Sequence, residues 1–251
     1  MADLAKVVQF CDERTHRKQI KDYPGAYNGL QLENNGKVSK IGAAVDAGQL
    51  PFEQAIAADI DFLIVHHGMY WNAMLPLTGR KLHKVRTCLD GNLAVYSSHL
   101  PLDAHAEIGN NAMIARKLGL TVTGTFCAFE GTAIAAIVEN TLNRKTLKER
   151  LHTLFPASFT AIEYGSAQPH RVAILSGSGR SALAEMQDLG IDTLITGELR
   201  QEHFNLAQEQ GFNLYPCGHY ATEVFGVQAL AAAAAAQFNL PWQFIATGCP
   251  L

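Results

Sequence analysis

Ile60-Asp61-Phe62-Leu63-Ile64-Val65-His66-His67 returns later in the chain, altered, as Ile191-Asp192-Thr193-Leu194-Ile195-Thr196-Gly197-Glu198. Each is a short β-rich run that ends on small or polar residues. Upstream, at the same separation, Lys40–Gly48 resembles Arg171–Gly179. Downstream, after a shorter connection, Asn92–His99 matches Phe212–His219, so that His99 falls on His219. Three matched blocks in one order predict two copies of a β-α-β-α-β unit. Helical patterns lie between the strands, among them Leu50–Ala58, Lys81–Leu89, Arg180–Leu189 and Gln201–Gln210. This alternation predicts an α/β fold of two pseudo-repeated lobes. The expected boundaries are residues 1–120 for the first lobe and 169–251 for the second. Residues 121–168 have no partner in the repeat and read as a connecting excursion of two strands and a helix.

Composition narrows the function classes. The 251 residues are 48% hydrophobic and 17% charged, enough apolar matter for a proper core. A formal charge of −3 gives no electrostatic reason to expect nucleic acid. The N-terminus has no basic region leading into an apolar stretch, so no signal peptide is expected. The apolar stretch Ala229–Ala236 is too short to span a bilayer. Cys11, Cys88, Cys127, Cys217 and Cys249 form no Cys-x-x-Cys pair, which fits a reducing cytoplasm and argues against a thiolate metal site.

The polar residues at the repeated strand ends carry the chemistry. Open α/β sheets bind ligands beyond the carboxyl ends of their strands. His66 and His67 sit at such an end, before Gly68. Consecutive strand side chains point to opposite faces, so the two serve one ion only if the strand breaks there; otherwise each serves its own. His219 and Glu223, four apart at an expected helix start, share one helix face. Asp103 lies beyond Pro101 in an expected loop. Imidazole and carboxylate without thiolate suit zinc, manganese, iron, cobalt or nickel. Taken singly, these residues have plainer readings: a hydrogen-bonded histidine pair, an aspartate capping the helix near Asn110, a capping pair at His219. Their convergence on equivalent strand ends favours metal ligation. His99 reads as a group that orients Asp103, binds substrate or satisfies a loop carbonyl. Glu198 reads as a general base, as the partner of a ligand imidazole, or as a cap for a helix beginning near Arg200. Ser176-Gly177-Ser178-Gly179-Arg180 lacks a complete phosphate-loop signature and reads as a tight turn. Tyr70 and Trp71, beside His67, could stack on a ring or pack a loop.

Six segments together resemble a known family: Tyr27–Gln31, His66–Gly68, His99–Asp103, Gly109–Asn111, Thr196–Glu198 and Gly218–Glu223. They are similar to the Nif-three-like dinuclear metal-centre family, many of whose members carry the label GTP cyclohydrolase I type 2 homolog. The resemblance spans most of the chain and is to the compact bacterial form. It implies two divalent transition-metal ions held by His66, His67, Asp103, His219 and Glu223, a metal site in the cleft between the lobes, and a toroidal homohexamer. For function it implies a metal-dependent hydrolase of a nucleotide-like small molecule, with GTP ring opening and formate release as the named candidate and Glu198 or His99 moving protons. The alternative is an assembly that stores or delivers metal without turnover.

Overall fold

A computed structural model of the protein describes residues 1–71 and 76–251. The chain forms two compact units, Met1–Leu102 with Gly226–Gly248, and Asp103–Phe225 with Cys249–Leu251.

The first unit holds a five-stranded sheet in the order Trp242–Phe244, Ile41–Asp46, Phe62–His67, Ala94–Ser97, Gly29–Leu32. All neighbours are parallel except the Gly29–Leu32 edge. A central parallel strand is covered on both faces and reads as an unbroken apolar run, which is why Phe62, Leu63, Ile64 and Val65 are all fully buried. Phe52, Ala55, Ile60, Leu63, Val65, Leu93 and Val95 share one core cluster. Gly42 permits a close approach, since a Cβ there would lie 2.8 Å from Ile60 Cγ2 and 2.9 Å from Leu63 Cδ1.

The second unit holds a six-stranded sheet in the order Thr121–Phe129, Thr132–Glu139, Arg171–Ser178, Thr193–Glu198, Asn213–Pro216, Ile162–Glu163. Its three repeat strands are parallel and its flanking strands antiparallel. The boundaries therefore differ from those expected at 120 and 168. Residues 121–168 are not a separate excursion: they supply both edges of the second sheet and the helix Arg144–Leu154. The helix Asn110–Leu118 belongs with them, because Ile114, Ala115 and Leu118 enter the core that holds Leu147, Leu151, Ile174 and Tyr215. The tail returns to the first unit because Trp242–Phe244 pairs with Ile41–Asp46.

The repeat is visible in the pairing registers within each unit. Ile41 pairs Phe62 in one sheet and Val172 pairs Thr193 in the other, as the first two matched blocks require. The hydrogen bond from Ile60 N to Ala55 O likewise has its counterpart from Ile191 N to Met186 O. The third block needs correction by one residue. Phe62 pairs Ala94, while Thr193 pairs Asn213, so Tyr96 corresponds to Tyr215 rather than to Pro216. A slip of one residue matters in a strand because it exchanges the two faces; the corrected register places two fully buried tyrosines in the same position. Ser98 N bonds Val65 O and Cys217 N bonds Thr196 O, which carries the corrected register to the strand end. The second copy then has one extra residue, Gly218 at φ +97°. Beyond it His99 and His219 come back into step, each four residues before a carboxylate, Asp103 or Glu223.

Glu163 shows how the second sheet's edge is held. Burial pushes its carboxyl up, but hydrogen bonds from Lys148 (2.9 Å) and the Tyr215 hydroxyl (3.1 Å), with the charges of Lys148 and Arg144, outweigh burial and hold it below its ordinary value. A depressed folded-state value stabilises above the unfolded carboxylate value, about 4.3, and that contribution fades as pH falls through the folded value. Glu163→Gln should therefore flatten the acid side of the stability profile and leave its alkaline side unchanged. Urea titrations at stepped pH check this; parallel profiles for the two proteins would refute it.

Candidate metal centre

Three imidazoles meet at the strand ends of the first unit. His66 and His67 close the strand Phe62–His67, and His99 follows the neighbouring strand Ala94–Ser97. Their candidate ligand atoms all lie within 4.8 Å of one another. The His66 ring is 4.9 Å from that of His67 and 4.8 Å from that of His99, centroid to centroid. The two histidines are the last residues of the strand, which stays in register with Ile41–Asp46 as far as the Asp46–His67 pair. Gly68 makes the turn against Gln31, whose side chain occupies the space a Cβ would need.

Each imidazole is fixed through Nδ1. His66 Nδ1 donates to Ser98 O at 3.0 Å, since a carbonyl can only accept. His67 Nδ1 lies 2.8 Å from Asp46 Oδ1, and His99 Nδ1 lies 2.9 Å from Asp22 Oδ1. An acceptor on Nδ1 selects the tautomer that presents the Nε2 lone pair, the usual support of a metal-binding histidine. Asp22 is itself braced by Asn28 Nδ2 (2.8 Å) and Leu100 N (2.9 Å). Burial alone would raise its carboxyl, but the hydrogen bond and charge of His99, with those two donors, hold it below the usual range.

The second unit gathers a mixed set. His219 and Glu223 lie in the first turns of the helix His219–Phe238, one helical turn apart, and Glu198 ends the strand Thr193–Glu198. His219 Nε2 is 3.1 Å from Glu223 Oε1, and its Nδ1 is 3.2 Å from Glu198 Oε1. The hydrogen bond to buried Glu223 lifts the imidazole to about 9; burial opposes this, and the Glu223 charge and Glu198 add to it. His219 must give up that proton to coordinate a metal. Gly177, at φ +63°, leaves the space the pair uses: a Cβ there would overlap Glu223 Oε1 and lie 3.2 Å from His219 Nε2. Asp103 is buried, and its Oδ1 accepts from Asn110 Nδ2 at 2.7 Å and Ser176 Oγ at 3.1 Å.

The donor chemistry fits divalent transition metals: nitrogen and oxygen only, buried or partly buried, with Nδ1 of the imidazoles anchored. All five cysteines are free thiols, and none belongs to either donor group. Asp103 ends a one-turn helix, Leu100–Asp103, rather than lying in a loop. It does not cap the next helix, whose N-cap is Gly109. Glu198 caps no helix either, since the following one has Gln201 at its N-cap; its oxygen braces His219. Ser176, Gly177 and Ser178 end the strand Arg171–Ser178 rather than forming the tight turn expected, and Gly179 alone joins that strand to a helix of seven residues. Asp22, Asp46 and Gly177 escaped the reading of the sequence. Asp46 and Gly177 occupy equivalent places in the first matched block, a signal that was available; Asp22 lies in an irregular segment outside the repeat.

Among the described residues no helix is long and apolar enough to cross a membrane. Comparison with known proteins places the whole chain. The "GTP cyclohydrolase 1 type 2 homolog" of Deinococcus radiodurans is 40% identical over 230 residues, 90% of this chain and 88% of the relative. The protein of the same name from Escherichia coli K12 is 35% identical over 234 residues, 89% of each. Among solved structures, TTHA1606 from Thermus thermophilus has a TM-score of 0.89 at 35% identity, and the ybgI protein, described as of unknown function, 0.91 at 32%; both are covered completely by this chain and cover it completely. The sequence profile of the Duf34/NIF3 (NGG1p interacting factor 3) family matches residues 2–249, and the chain belongs to that family.

Proposed function

We propose that this protein is a divalent-metal-dependent hydrolase acting on a nucleotide-like small molecule, with His66, His67, Asp103, His219 and Glu223 holding two ions. The observation that carries the reading is the set of imidazoles with Nδ1 bound to Ser98 O, Asp46, Asp22 and Glu198, a bracing pattern that plain packing does not need. Divalent ions at such donors supply Lewis acidity and acidify water, the chemistry hydrolysis requires. The chain's own residues would do the rest. Asp46 and Asp22 keep the rings of His67 and His99 aimed. His99, backed by the Asp22 carboxylate, is placed to take up and return a proton. Glu198, on the outer nitrogen of His219 and half exposed, can relay a proton to solvent. The nucleotide part of the reading rests on the names of the relatives, as does GTP ring opening with formate release. We carry the homohexamer and a cytoplasmic site as part of the same proposal.

Metal-reconstituted protein incubated with a nucleotide panel and followed by mass spectrometry tests this. Chelator-sensitive release of formate or another hydrolysis product is expected, lost in Asp103→Ala. Fully metallated wild-type protein that releases no product from any nucleotide would leave metal storage or delivery as the better account.

A further inference from the structure

Large aromatic side chains are concentrated around the imidazole cluster of the first unit and are left open to solvent. Trp71 is 41% exposed, Tyr23 41% and Tyr27 59%. Trp71 stands edge-on to His99 at 4.7 Å between centroids and 5.4 Å from His67; Tyr23 is 6.0 Å from His99. Tyr27 meets Tyr70 edge-to-face at 6.1 Å. Packing does not explain the arrangement, because rings that stabilise a loop by burial lose their exposure in doing so.

The segments that carry these rings are held in place. Gln31 donates from Nε2 to Tyr27 O at 2.6 Å and accepts from Met69 N at 2.6 Å, tying the Tyr27 segment to the Trp71 segment. Asn28 accepts from His99 N at 2.7 Å and donates to Asp22 at 2.8 Å, tying both to the imidazoles. An exposed face that is fixed and aromatic binds a flat partner without first being ordered.

We propose that Trp71, Tyr23 and Tyr27 form a stacking rim that recognises the planar heteroaromatic ring of the ligand bound at the imidazole cluster. This rests on the hydrolase reading and adds to it the part of the ligand that is recognised. Aromatic faces accept any planar ring, so the rim selects for a ring over none more than for one base over another.

Calorimetric titration of the metal-loaded protein with guanosine 5′-monophosphate and with ribose 5-phosphate tests the rim, because the two probes share sugar and phosphate and differ in the ring. The nucleotide should bind at least about tenfold tighter. Trp71→Ala should weaken it by roughly 5- to 150-fold, the range for losing one stacked base. Trp71→Phe, which keeps an aromatic plane, should recover most of that loss, and elemental analysis should find equal metal in all three proteins. Equal affinity for the two probes, no binding of the nucleotide, or a Trp71→Ala protein with unaltered affinity would overturn the proposal. So would a change in light-scattering mass in Trp71→Ala at unchanged affinity, which would make the rim a self-association surface. The hydrolase reading fails separately. Ring binding with no chelator-sensitive turnover sinks hydrolysis and keeps the rim; turnover of ring-free phosphoesters with no ring binding does the reverse.

Discussion

His67→Ala protein is expected to lose at least one of the two divalent ions that we propose each wild-type chain holds. The substitution removes one of three clustered nitrogen donors, and, unlike that of His66, the side chain is partly open to solvent, at 22% exposure. His66→Ala should be at least as damaging, but His66 is fully buried, so part of its effect could come from packing. Asp46→Asn separates the donor from its support. The amide oxygen can still accept from His67 Nδ1, now without a charge. Losing such an outer partner typically costs about 10- to 100-fold in metal affinity. The expected order is therefore wild type above Asp46→Asn above His67→Ala, read by competition with a chromophoric chelator. Circular dichroism should show all three folded. Equal affinity across the series would mean that the imidazoles are a hydrogen-bonded cluster and not a metal centre.

How much of this could be read from the sequence depends on what kind of interaction sets each feature. The repeat strands were legible because a buried parallel strand reads as a near-continuous apolar, β-branched run, as Phe62–Val65 and Thr193–Ile195 do. The first two blocks aligned correctly because no insertion separates them. The third was misjudged by one residue because its anchor was His99 against His219, and the extra residue, Gly218, lies inside the turn between strand and histidine. Only the hydrogen-bond ladder, with Tyr96 and Tyr215 in one position, shows where the copies part. The unit boundaries were not legible at all. Whether Thr132–Glu139 is an excursion or a sheet strand is decided by its partner Arg171–Ser178, a contact between segments far apart in sequence. Within the site, the histidines and carboxylates stood out by residue type. Their supports did not, because an aspartate such as Asp22 becomes a brace only when folding brings Asn28, His99 and Leu100 to it.

Gly177→Ala is expected to eliminate metal uptake by the second-unit donors while leaving the protein folded. Two costs arise at this position and can be told apart. The first is conformational: φ is +63°, and an L-residue in that left-handed region costs about 1–2 kcal/mol. In a chain of this size that lowers the melting temperature by about 2–8 °C. The second is local: the new Cβ would overlap Glu223 Oε1 and crowd His219 Nε2, two of the proposed donor atoms. Glu223 is buried, so displacing its carboxylate by a fraction of an ångström has few compensating rearrangements. Gly190 provides the control. Its φ is +64°, the same conformation, and a Cβ there would meet nothing within 4 Å. Gly190→Ala should show the drop in melting temperature and keep its metal; Gly177→Ala should show a drop at least as large and lose it. If the two variants bind metal alike, the close approach of Gly177 to Glu223 serves packing only, and the assignment of Glu223 and His219 as ligands falls with it.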